Sequence, residues 1–181
     1  MPKKLYFSAQ TNYNKDRMTG GTPDWEEYMT ILNQKEGRIL GVDFGDVRTG
    51  LAISDETRFL ASGIGFIKVG GILRTADKVA EIVMENHAVG VIVGHPLNMN
   101  GTVGPRAERA EQFASLLRER LPEVEILLFD ERMTTMAASR YLNETNTRGS
   151  KRKNNIDTLS AQIILQNYLD MEKNAKNHNS P

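Results

Sequence analysis

The sequence predicts an α/β domain on a mixed sheet, three antiparallel strands followed by two parallel ones, flanked by helices. Two observations predict it. Residues 38–69 hold three short apolar runs joined by links too brief for a crossover, the pattern of an antiparallel meander. Residues 72–131 then alternate helix-periodic segments with β-branched runs, the pattern of parallel strands connected through helices. A chain of 181 residues is long enough to bury such a core as one domain.

The elements follow in order. Residues 1–37 are polar, rich in Asn, Thr, Lys and Gly, and read as an arm, partly disordered or forming one short helix. Its helical window is "DWEEYMTILNQ", where Trp25, Tyr28, Met29 and Leu32 share a face. Strands are predicted at 38–44, 49–54 and 61–69. "ILRTADKVAEIVMENH" then places Ile72, Ala76, Val79, Ala80 and Val83 at helical spacing, and "VGVIVG" at 89–94 reads as a covered parallel strand. A second helix, "PRAERAEQFASLLRER", aligns Ala107, Ala110, Phe113, Ala114 and Leu117, and the strand "EILLFDE" at 125–131 follows. Two helices close the domain: "TMAASRYLNE" capped by Thr134 or Thr135, and "NIDTLSAQIILQNYLD" capped by Asn154 or Asn155. The domain is therefore expected at 38–170, with a polar tail at 171–181.

Composition narrows the function. Lys plus Arg and Asp plus Glu both number 23, so the net charge is zero and any polyanion must be met by a local patch. The absence of cysteine excludes disulfides and thiolate zinc sites. No apolar stretch approaches the roughly twenty residues of a membrane span, and the N-terminus lacks a signal-peptide core, so a cytoplasmic protein without a membrane partner is expected.

Acids stand at three strategic places: Asp43 ends the first strand, Asp130 and Glu131 end the last, and Asp157 opens the final helix. Strand ends are where α/β sites collect. Each acid also has a structural explanation. Asp157 suits a helix N-terminus, Asp130 and Glu131 could pair with Arg132, and Asp43 could cap the next turn. Yet Asp157 shares a stripe with Ala161, Ile164 and Tyr168, so it points toward the sheet. Distant carboxylates converging there repel one another unless cations hold them, and hard oxygen ligands suit Mg²⁺ or Mn²⁺.

Four segments, "GVDFGDVRTGLAISD", "GHPLNMNGTVGPRAERAEQFA", "DERMTT" and "SKRKNNIDTLSAQIILQNYLD", resemble the YqgF/RuvX family. The resemblance spans residues 38 to about 170. It implies a nuclease of RNase H-like fold, proposed for that family either to process the 5′ end of pre-16S rRNA or to resolve Holliday junctions. Carried over residue by residue, it makes Asp43, Glu131 and Asp157 the catalytic acids, with Asp130 as a further candidate metal ligand. "VGVIVG" runs into "HPLNMNG" without the carboxylate expected in the wider RNase H-like group, so Asp130 or Glu131 must supply that ligand. Within the family pattern "GLPLNMDG", His95 replaces an apolar residue and Asn100 an aspartate; neither is a proposed ligand. Two cations about 3.5 to 4 Å apart could then activate water and stabilise the leaving oxygen, with Asp43 bridging.

Supporting segments fit nucleic acid. "RGSKRK" clusters Arg148, Lys151, Arg152 and Lys153 before the helix carrying Asp157, as phosphate contacts or as a solvated face. Arg48 could meet phosphate, or pair with Asp46 or Asp55. The loop "NMNGTVGPRAER" could present backbone N–H groups to phosphate or simply enter a helix; its glycine spacing is not that of a P-loop. His95 has no second His or Cys nearby and reads as a core or loop residue.

Two other classes compete. "GVDFGDVRTGLAISD" also resembles the phosphate loop of actin-like ATPases and sugar kinases, but those need two such domains around a cleft. A catalytically silent nucleic-acid-binding module would be expected to lose one of the acids, and all are kept. The expected partner is structured RNA, with branched DNA as the alternative. With no exposed apolar seam or heptad, a monomer is favoured over a dimer.

Overall fold

The computed structural model describes residues 35–133 and 150–178. The expected helix at 135–144, Arg148 and nearly all of the N-terminal arm lie outside the described residues.

Five strands form one sheet in the order β3-β2-β1-β4-β5. Strand β1 (Ile39–Asp43) pairs antiparallel with β2 (Thr49–Ser54), and β2 pairs antiparallel with β3 (Ala61–Ile67). On the other side β1 pairs parallel with β4 (Gly90–His95), and β4 with β5 (Glu125–Asp130). Helix α1 (Ile72–Glu85) crosses from β3 to β4, α2 (Pro105–Arg120) from β4 to β5, and α3 (Ser150–His178) ends the described chain. This is the mixed, helix-flanked sheet expected.

The period-two alternation of the strands divides the core. Leu40, Val42, Val91, Val93, Ile126 and Leu128 face α1 and α2, where they meet Val79, Val83, Phe113 and Leu117. Ile39, Ile92, Leu127 and Phe129 face the opposite way, onto Ala161, Ile164, Leu165, Tyr168 and Leu169 of α3. Helix α3 comes very close because the sheet offers it glycines. A Cβ on Gly41 would stand 2.6 Å from that of Leu165, and one on Gly50 only 1.8 Å from the Asp157 carbonyl oxygen. Gly50 is the cross-strand partner of Asp43, so this contact brings the Asp157 backbone beside the end of β1.

Some boundaries differ from expectation. Strand β3 stops at Ile67 instead of residue 69, and Glu131 leaves β5 to start a short 3₁₀ turn, Glu131–Met133. The last helix is longer at both ends. It begins at Ser150, so Asn154 and Asn155 lie within it and not at its N-cap, and residues 151–153 lie in its opening turns. It also runs through the predicted tail, since Met171 packs on the core and Glu172 is buried there. Among the described residues no helix is long and apolar enough to cross a membrane.

Candidate active site

The strand alternation that sorts the core also sorts the acids. Asp43 follows Ile39 and Gly41 onto the α3 face. On β5, Leu127 and Phe129 face α3, so Glu131 falls on the same side, whereas Asp130 follows Ile126 and Leu128 toward α2. Contacts agree: a Cβ on Gly94 would lie 2.5 Å from the Glu131 Oε1 and 2.7 Å from the Ile164 Cδ1, which places the Glu131 carboxylate over β4 and against α3. Asp157 stands on the stripe of α3 that continues through Ala161, Ile164 and Leu165 into the core.

The electrostatics of the three acids are linked. Burial pushes the Asp43 carboxyl above its usual pKa and the Asp157 charge pushes the same way, while Arg106 and a hydrogen bond from Ser160 oppose them. Glu131 is pushed up to about 7, first by burial and then by the charge of Asp43, with Asp130 adding and Arg106 opposing. The Asp157 Oδ2 is buried with no hydrogen-bond partner, and Arg48 Nη1 stands 3.6 Å away, an ion pair too long for a hydrogen bond.

Asp130 behaves differently. Burial works to raise it, yet hydrogen bonds from the Arg132 side chain and backbone outweigh that and hold it below the ordinary carboxylate range. The Arg132 Nη2 lies 2.6 Å from its Oδ2. His95, opposite Asp130 in the β4–β5 register, turns its Nε2 to the Glu111 Oε1 of α2 at 3.0 Å. Both residues therefore belong to the α2 side. His95 is buried there at the end of β4, the core placement of the two, core or loop, that its sequence left open.

Arg48 pairs with Asp157 and lies 4.9 Å over the Phe66 ring. Asp46, one of its anticipated partners, is held by Arg109 at 2.8 Å, and Asp55, the other, accepts hydrogen bonds from Thr57, Phe59 and Leu60 in its own turn. Of the basic cluster, the backbone of Lys151, Arg152 and Lys153 lies in α3 and Arg148 is outside the described residues. Two neighbours of the acids were not recognised as such from sequence. Ser160 could have been found, since it lies three residues after Asp157 on the same helical face. Arg106, second residue of α2, gave no sign of facing acids so distant in sequence.

The donor set suits a hard divalent cation: carboxylate oxygens only, one of them buried and unpartnered, with two of the groups driven toward protonation by burial and by one another's charge. Among the described residues no three His, Asp or Glu side chains close into a metal-enclosing cluster. Asp43 is the common member of the two coupled pairs, Asp43–Asp157 and Asp43–Glu131.

A family model described as "RuvX: Holliday junction resolvase" matches residues 37–171. The chain belongs to the RuvX family. A relative from Ruminiclostridium cellulolyticum is 45% identical over 134 residues, covering 74% of this chain and 94% of the relative. One from Bacillus cytotoxicus is 44% identical over 135 residues, covering 74% and 98%. Both bear the name "Putative pre-16S rRNA nuclease". Among solved structures, Thermus thermophilus RuvC in complex with Holliday junction substrate superposes with a TM-score of 0.50 at 14% identity, covering 75% of this chain and 96% of that one. That likeness is one of fold, and the RuvX chain shares the RNase H-like architecture of its neighbour.

Proposed function

We propose that this RuvX protein is a metal-dependent nuclease that hydrolyses phosphodiester bonds, with Asp43, Glu131 and Asp157 as its catalytic carboxylates. One observation supports the reading: acids from β1, the end of β5 and α3 lie on one face of the sheet, with Asp43 coupled by charge to each of the other two and the Asp157 Oδ2 buried without a hydrogen bond.

These carboxylates would hold Mg²⁺ or Mn²⁺, with Asp43 central and Asp157 Oδ2 offering its unpartnered oxygen. Asp130, bound to Arg132 on the opposite side, is the weaker candidate ligand. Such cations supply an activated water and a counter-charge for the leaving oxygen. Ser160 and Arg48 orient the acids, by a hydrogen bond to Asp43 and an ion pair to Asp157 respectively. Arg48, Arg148, Lys151, Arg152 and Lys153 are the proposed phosphate contacts, which fix the backbone and do not read bases.

The substrate we favour is the 5′ end of precursor 16S rRNA, cut by a cytoplasmic monomer in ribosome biogenesis, because the curated relatives carry the rRNA nuclease name over nearly their full length. The description of the family model favours a second reading, cleavage of four-way DNA junctions. Matched RNA, duplex DNA and four-way junction substrates, each incubated with Mg²⁺ or Mn²⁺, decide between them. Selective cutting of RNA is expected, selective cutting of junctions would install the second reading, and failure on all three would end the nuclease reading.

A further inference from the structure

Among the described residues four arginines stand around the site end of the sheet, and three of them pair with a carboxylate. Arg48 pairs with Asp157, Arg109 with Asp46 and Arg132 with Asp130. Arg106, second residue of α2, stands a turn from the Arg109 that bonds Asp46, at the end of the sheet where β1 delivers Asp43, and its charge is felt by Asp43 and Glu131. It makes no ion pair or hydrogen bond among the described residues and its side chain is exposed. Its position is well fixed. Helix α2 is tied to this end of the sheet by Arg109 on Asp46, by Glu111 on His95 and by Phe113, which stacks on Phe44 with ring centroids 4.4 Å apart. Arg106 lies one helical turn before Arg109, on the same side of α2.

Resting on the nuclease reading, we infer that Arg106 contacts the phosphodiester at the cutting position and stabilises the charge that builds on it. An exposed guanidinium within electrostatic reach of two carboxylates but bonded to neither is poorly placed for structure and well placed for an anion arriving beside them. Its planar fork matches two phosphate oxygens. In the reaction, the water oxygen bonds to phosphorus and the bond from phosphorus to the leaving sugar oxygen breaks. One water proton goes to solvent and the leaving oxygen takes one up. The non-bridging oxygens gain charge at the moment the five-bonded phosphorus forms, and Arg106 faces that charge without prior rearrangement. It is then a catalytic residue and more than a tether for the strand.

The test is steady-state cleavage by the full chain, its Arg106→Ala and its Arg106→Lys variants, on whichever substrate the parent cuts. Thermal melts would verify folding. Arg106→Ala should lower kcat about 10²-fold with KM within a few-fold, added guanidinium ion should restore part of the loss, and Arg106→Lys should fall between. Without substrate, Arg106→Ala should bind Mn²⁺ at least as tightly as the parent, because a cation facing the acids is gone. Parent-like kcat in the alanine variant overturns the inference. So does a folded, slow variant that neither guanidinium nor lysine improves, or one that binds Mn²⁺ more weakly, since Arg106 would then only organise the acids. A parent that cuts nothing defeats the nuclease reading and this inference together; a parent that cuts beside an unaffected variant defeats the inference alone.

Discussion

The two ends of the sheet treat acids and arginines in opposite ways. At the end away from the site, Arg58 Nη1 meets the Glu172 Oε1 at 2.8 Å, with the two side chains 7% and 3% exposed. The guanidinium also donates to the carbonyls of Gly37 and Lys35, and Lys176 reaches the same Glu172 oxygen at 3.1 Å. Arg58, Glu172 and Lys176 answer one another's charges, and the pair ties the β2–β3 turn and the entry to β1 onto α3. At the site end, Asp43 and Glu131 feel the charge of Arg106, Asp157 has Arg48 at 3.6 Å, and the Asp157 Oδ2 is left without a hydrogen bond. The closed network stabilises the fold, and the open one gives up stability for a place where cations and phosphate can bind. Charge alone therefore marks neither structure nor function; what separates the two ends is how closely the charged groups are paired, since a buried hydroxyl without a hydrogen-bond partner, that of Tyr168, also stands beside Glu172 and Arg58.

Removing an acid from each end should break the molecule in different ways. Asp43→Asn should lower metal-dependent cleavage by about 10³-fold or more while the melting temperature stays or rises, because it deletes a repelling charge. Retained activity in a clean, folded preparation would remove Asp43 from the mechanism. Arg58→Ala should do the reverse. It takes from the buried Glu172 its closest cation and leaves it to Lys176, at a cost of up to about 3–5 kcal/mol, which is a fall in Tm of up to roughly 10 °C for a chain of this size. Cleavage measured well below that temperature should be near the parental rate. A melt within a degree of the parent would show that the network is less closed than its geometry.

Gly50→Ala probes the joint between the two kinds of region. Its methyl would meet the Asp157 carbonyl at 1.8 Å, and backbone cannot yield as a flexible side chain can. Helix α3 must shift, at a cost of about 1–3 kcal/mol or more, and Asp157 shifts with it. Loss of both stability and activity is expected, measured by melting and by cleavage of the same preparation. If stability fell while kcat stayed parental, the position of Asp157 would be immaterial.

Much of this was legible in the sequence, for definable reasons. Apolar runs closed by Gly or an acid marked the strands, and link lengths gave the antiparallel and parallel pairings. The choice between Asp130 and Glu131 was open to the same logic, because period-two alternation along Ile126–Glu131 assigns them to opposite faces. The ends of α3 were hidden. Asn154 and Asn155 carry a cap preference, but Lys and Arg before them are good helix formers, and the helix runs straight through. Its last turns are held by Arg58, 114 residues away in sequence, a contact no local pattern announces. Arg106 stood out in the sequence only as a second place, with Arg109, to look for a binding face; nothing local tied it to Asp43 or Glu131.

The smallest effect expected is also the most specific to the open end. Glu131 is pushed up to about 7 from an ordinary value of 4.5. Between those two values the folded protein holds a proton that the unfolded chain releases, so stability falls as pH rises through that window and the full penalty is present above it. Asp55 works in the other direction. Its carboxyl is held down at about 2, chiefly by the Leu60 backbone N–H and the Thr57 hydroxyl, so the stability it contributes above the usual aspartate range is lost as pH falls toward 2. In EDTA, stability should therefore peak in mildly acidic solution and decline toward pH 8. Glu131→Gln carries no titrating proton, so its gain over the parent should be near zero at pH 4 and reach about 1–2 kcal/mol at pH 8, after allowance for solvent screening. Excess Mg²⁺ should shrink the gain, since a cation then meets the parental carboxylate and has less to bind in the variant. Denaturant melts of both proteins across this range are the measurement. If the two curves ran parallel from pH 4 to 8 in EDTA, Glu131 would be as well satisfied as Glu172, and the contrast between the two ends of the sheet would fail at that residue.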